Sequence, residues 1–96
     1  MRGPEAQIED KVSRFAKDLG WLCFKFSSPA HRGVPDRILL RAGKVFFIEF
    51  KAPGKTPTLL QKRIHKILQS AGFEVYVIDS TKQGKEILLA MEISDL

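Results

Sequence analysis

Asp36, Glu49 and Lys51 are the residues whose types and spacing can do chemistry together. Glu49 lies in KVFFIEFK, where Val45, Phe47, Glu49 and Lys51 alternate with Phe46, Ile48 and Phe50. Both faces are apolar near the middle, as in a strand covered on both sides. A carboxylate there costs several kcal/mol unless it is paired or protonated. The preceding residues, 36–41, read as a second strand joined through Ala42-Gly43. With that tight turn the numbers of opposed residues add to a constant: Arg41 faces Lys44, and Asp36 faces Glu49. Directly opposed residues share a sheet face, with Cβ atoms ~4.5–5.5 Å apart. Carboxylates so placed repel unless a cation lies between them, and their hard oxygens suit Mg²⁺ or Mn²⁺. Lys51 shares the face, and its ammonium can reach a phosphate or an attacking water beside the metal. The plainer alternative leaves Asp36 in solvent and Glu49 paired with Lys51 alone. The apolar strand and the placement of Asp36 favour the metal site.

Other residues surround this pair. Glu9 lies at the border of the apolar stripe of the first helix, where a carboxylate can point along the sheet toward the site; an ordinary boundary glutamate fits as well. Gln61 falls in the first turn of the second helix on a stripe with Ile64 and Leu68, and a polar residue there needs a partner. The short loop from Lys51 to Thr56 puts it near Lys51, where it can bond water, a phosphate oxygen or the backbone. Lys55, Lys62, Arg63, His65 and Lys66 form a basic cluster on the loop and outer helix face, and Arg32, Arg37 and Arg41 add charge on or beside the hairpin. Most basic helix faces are merely solvated; beside a phosphate-directed centre this one favours contact with a polyanion. Neither His31 nor His65 falls in a metal-ligand pattern.

The elements that must position these residues follow from periodicity. Ile8, Val12, Phe15, Ala16 and Leu19 recur at helical spacing between Pro4 and Gly20, a suitable start and stop. Residues 21–26 read as a strand, 27–35 as a loop, and 36–41 and 44–51 as the hairpin. Thr56 and Pro57 open a second helix running to Ala71, with Leu60, Ile64, Ile67, Leu68 and Ala71 on one side. Residues 73–78 form a fourth strand, and Ser80 with Gln83 caps a short last helix through Ile87, Leu88 and Met91. The order is αβββαβα, an α/β fold with a mixed sheet of about four strands flanked by helices. The third and fourth strands are parallel through a right-handed crossover.

The 96 residues carry a net charge of +5. The length fits one domain with a modest core, and no stretch approaches the ~20 apolar residues of a membrane span. The N-terminal MRGPEAQIEDK has no apolar core of a secretory signal. Cys23, the single cysteine, forms no intrachain disulfide and reads as a buried small hydrophobe. These features point to a cytoplasmic, intracellular protein.

Glu9, Gly33-x-Pro35-Asp36, Glu49-x-Lys51 and Gln61, in that order and followed by GFEVYVI, resemble the VRR-NUC family of the PD-(D/E)XK nuclease superfamily. The resemblance runs from about Glu9 to Ser80. It implies a restriction-endonuclease-like core and metal-dependent hydrolysis of DNA phosphodiesters with Mg²⁺ or Mn²⁺. It makes Asp36 and Glu49 metal ligands with the backbone carbonyl of Phe50, and gives Glu9 a second metal or a water. Lys51 would act on the nucleophile and Gln61 would support the site. The short length is similar to that of phage and bacterial members. That similarity carries the expectation of a homodimer acting on branched DNA such as four-way junctions. Arg32, Lys55, Lys62, Arg63 and Lys66 are the expected DNA contacts. The competing reading is a non-catalytic nucleic-acid-binding module on the same fold, which retention of Asp36, Glu49 and Lys51 disfavours.

Overall fold

The computed structural model describes residues 3–94. Helix α1 spans Pro4–Asp18, strands β1, β2 and β3 span Leu22–Lys25, Arg37–Arg41 and Lys44–Phe50, helix α2 spans Leu59–Ser70, strand β4 spans Glu74–Ile78, and helix α3 spans Thr81–Ser94. The expected order αβββαβα is therefore present. The sheet runs β1-β2-β3-β4, antiparallel through β3 and parallel between β3 and β4. No helix among the described residues is long and apolar enough to cross a membrane.

The β2–β3 turn has the expected register, with Arg41 opposite Lys44 and Arg37 opposite Ile48. Ala42 and Gly43 both take positive φ, 51° and 80°. Such a turn matches the right-handed twist of the strands it joins. The core lies on the face carrying Leu39, Phe46, Ile48 and Phe50, against Ile8, Val12 and Ala16 of α1 and Leu88 of α3. Trp21 meets Phe46 edge-on at 4.9 Å between ring centroids. Cys23 is buried there, as expected.

Helix α2 departs from expectation in two ways. Thr58, not Thr56, is its cap: the Thr58 hydroxyl accepts from the Gln61 N–H at 3.2 Å, and Gln61 Oε1 accepts from the Thr58 N–H at 2.9 Å. Pro57 thus lies outside the helix. The buried side also differs, since Leu60 is 44% and Ile67 63% exposed while His65 is 6% exposed. Gln61, Ile64, His65 and Leu68 form the inward stripe, with the i, i+3, i+4, i+7 spacing of one helix face. The sheet beneath carries Glu49, so this stripe mixes polar with apolar residues. The last helix is longer than expected, 14 residues, and Ser80 Oγ accepts from the Gln83 N–H at 3.1 Å.

Candidate active site

Asp36 stands one residue ahead of β2, and the register continued by that residue sets it against Glu49. Its backbone and side chain tie neighbouring strands together. The Asp36 carbonyl accepts from the Phe26 N–H at 2.9 Å, and Oδ2 accepts from the Phe50 N–H at 2.7 Å. The loop leading to Asp36 is pinned at Gly33, whose φ is +88° and whose absent Cβ would meet the Leu60 backbone at 3.2 Å. A larger residue at this position would push the Asp36 loop away from α2.

Glu49 is 2% exposed, at the buried end of β3. Gln61 Nε2 donates to its Oε2 at 3.2 Å. Lys51 Nζ lies 3.8 Å from Oε2, and His65 Nε2 lies 3.7 Å from Oε1. The capping box of α2 and the Glu49 contact therefore run through one amide: Gln61 accepts from the helix start with Oε1 and donates to Glu49 with Nε2.

Burial raises Asp36 above the ordinary carboxylate range, against the opposing Phe50 N–H bond. Glu49 is pushed up to about 8, by burial first and by the Asp36 charge second, with Lys51 opposing. Burial and then Lys51 lower His65, which favours the neutral ring. Two carboxyls held side by side and both raised by burial form a cation-seeking pair. Glu49 Oε1 has no hydrogen-bond donor among the described residues. Among the described residues, no group of three or more His, Cys, Asp or Glu side chains is arranged to hold a metal. A pair nevertheless fits Mg²⁺, which keeps several waters and is usually held by one or two carboxylates plus substrate phosphates.

Glu9 lies close enough for its charge to raise Asp36, but its own partner is Arg37, whose Nε donates to Glu9 Oε2 at 2.8 Å. Arg37 is 8% exposed, so it adds structural rather than surface charge, contrary to expectation. Arg41 is likewise engaged: it pairs with Glu92 at 2.6 Å, donates to the Leu19 carbonyl at 2.8 Å and stacks over Trp21. Arg32, Lys55, Lys62, Arg63 and Lys66 are exposed.

His65 overturns its assignment to the outer basic face, because it is buried beside Glu49. The signal was its place four residues after Gln61, which puts both on one helix face.

No family model matches the chain. A protein named "Putative nuclease p44", from Acyrthosiphon pisum secondary endosymbiont phage 1, is 44% identical over 77 residues, covering 79% of this chain and 83% of that protein. A solved structure described as a VRR_NUC domain matches with a TM-score of 0.84 and 27% identity, over 91% of this chain and 96% of that one. The Gly33-x-Pro35-Asp36 and Glu49-x-Lys51 motifs, the hairpin that opposes them and these relatives agree, and the chain belongs to the VRR-NUC family of the PD-(D/E)XK nuclease superfamily.

Proposed function

We propose that this nuclease is a metal-dependent endonuclease of DNA, acting in the cytoplasm with Mg²⁺ or Mn²⁺. The observation that carries the reading is Glu49, a nearly inaccessible carboxylate set against Asp36 and pushed up to about 8. Such repulsion is relieved when a cation is shared. Asp36 and Glu49 would hold the ion, with the Phe50 carbonyl as a further ligand and Glu9 toward a second ion or a water. A divalent ion supplies polarisation of a phosphoryl oxygen and a more acidic bound water.

The chain's own residues do the rest. The Phe50 N–H fixes Asp36, and Gln61 fixes one oxygen of Glu49. Lys51, held beside Glu49, presents a cation to the nucleophile or the phosphate. Arg32, Lys55, Lys62, Arg63 and Lys66 are exposed and make no ion pair among the described residues, which leaves them available to the DNA backbone.

Assembly as a homodimer on branched DNA, such as a four-way junction, belongs to the same proposal. Leu22 and Phe24 are 58% and 54% exposed on edge strand β1. By register they share the sheet face of Phe47, which α2 covers on its β4 side. A second copy on the open half would bring two centres together, as paired cuts in a junction require.

Nicking of supercoiled plasmid tests the activity. The wild type is expected to nick with Mg²⁺ or Mn²⁺ and to stop on chelation. Asp36→Asn and Lys51→Ala are expected to lose nicking while remaining folded. Wild-type nicking by Asp36→Asn overturns the site, and DNA binding without nicking under any of these conditions favours a non-catalytic module.

A further inference from the structure

Glu49 is held unevenly. Gln61 Nε2 donates to its Oε2 at 3.2 Å. On the other oxygen, Oε1 is buried without a hydrogen-bond partner among the described residues, and so is Nε2 of His65, 3.7 Å away. Two buried polar atoms left unpaired at this separation are unusual, because each carries an uncompensated desolvation penalty. A closure of about half an ångström would bring them into hydrogen-bond range. Gln61 and His65 are one turn apart on the inward face of α2, so both reach Glu49 from the same rigid element.

We infer that His65 is a positioning residue, whose ring donates from Nε2–H to Oε1 of Glu49 and, with Gln61 on Oε2, clamps the carboxylate in the orientation that binds a divalent cation. The inference rests on the reading of Asp36 and Glu49 as the metal-binding pair. His65 acts through Glu49 and touches neither substrate nor the reacting atoms. The ring is 6% exposed, and its charged surroundings are Lys51, Asp36 and Glu49. Removal of a group that orients a metal ligand typically lowers metal affinity by about 10–100-fold.

The test is direct titration of the DNA-free protein with Mn²⁺ by calorimetry, beside thermal melts and plasmid nicking. His65→Leu is expected to melt as a folded protein and to bind Mn²⁺ about tenfold or more weakly. His65→Gln, which places an amide N–H near the same point, is expected to recover most of that affinity. A merely structural role would move the melting temperature without this loss and recovery. Should His65→Leu fail to fold, the wild type still decides: nitrogen-15 spectra of the imidazole are expected to show Nε2–H and to shift on addition of diamagnetic Mg²⁺. The Nδ1–H tautomer, or wild-type Mn²⁺ affinity in His65→Leu, overturns the clamp alone. Absence of Mn²⁺ binding by the wild type overturns the metal reading and the clamp with it.

Discussion

Glu49 makes the metal-free protein sensitive to pH in a definite direction. Its carboxyl is ordinarily at 4.5 and is pushed up to about 8 in the folded chain, so the native state keeps a proton that the unfolded chain releases. Stability contributed by the protonated group is full below about 4.5 and is lost progressively as pH rises through about 8. The metal-free melting temperature is therefore expected to fall across that window. Glu49→Gln, which cannot ionise, should flatten this part of the profile and melt higher than the wild type near pH 8. Each kcal/mol recovered corresponds to about 4–8 °C in a domain of this size. Superimposable pH profiles for the two proteins would show that Glu49 carries no such strain. The pairing behind this behaviour was legible from the sequence, since an alternating strand and a tight turn fix which residues oppose each other. His65 was not, because a histidine among Lys62, Arg63 and Lys66 reads as part of a basic face until the helix phase is known.

Packing between elements depends on positions where there is no room for a side chain. Gly84 in α3 faces Val12 of α1, and a Cβ there would lie 2.6 Å from a Val12 methyl. Gly84→Ala should overfill this crossing and destabilise the fold by about 1–3 kcal/mol, despite the better helix propensity of alanine. A melting temperature at or above wild type would mean that α1 and α3 separate freely. Gly33→Ala combines positive φ with the close approach to Leu60. It is expected to reduce nicking more than stability, because the displaced loop carries Asp36 and the helix carries Gln61; equal loss of both would assign Gly33 to folding alone. The element order, the register and the parallel β3–β4 pair were readable because period and turn chemistry determine them locally. The start and phase of α2 were not. Thr56-Pro57 and Thr58 both offer helix-opening chemistry, and the reciprocal Thr58–Gln61 bonds decide between them. The stripe of Leu60 and Ile67 looked inward by composition, yet the buried Glu49 draws Gln61 and His65 to that side instead.

At the scale of the molecule, charge and apolar surface predict separate behaviours. Lys62 and Lys66 lie one turn apart on the exposed side of α2. If both neutralise phosphates, replacing the pair by alanine should make the salt dependence of duplex binding shallower by up to about two log–log units. An unchanged slope would show a merely solvated face. Assembly rests on a different surface. Leu22 and Phe24 stand 58% and 54% exposed side by side on β1, and an edge strand with apolar side chains is prone to pair with another chain unless something covers it. Small homo-oligomers most often close as two-fold dimers, and such an interface would sit on the sheet face that also bears Glu49. Light scattering at micromolar concentration is expected to give twice 10.9 kDa for the wild type. Phe24→Glu should return the mass to that of one chain without unfolding it, because the side chain already faces water. Loss of the dimer should also remove any preference for a four-way junction over a linear duplex of equal length while leaving single-strand nicking, since one centre suffices for a nick but paired cuts need two. A wild-type mass near 10.9 kDa overturns the dimer. A dimer that survives Phe24→Glu moves the interface away from β1.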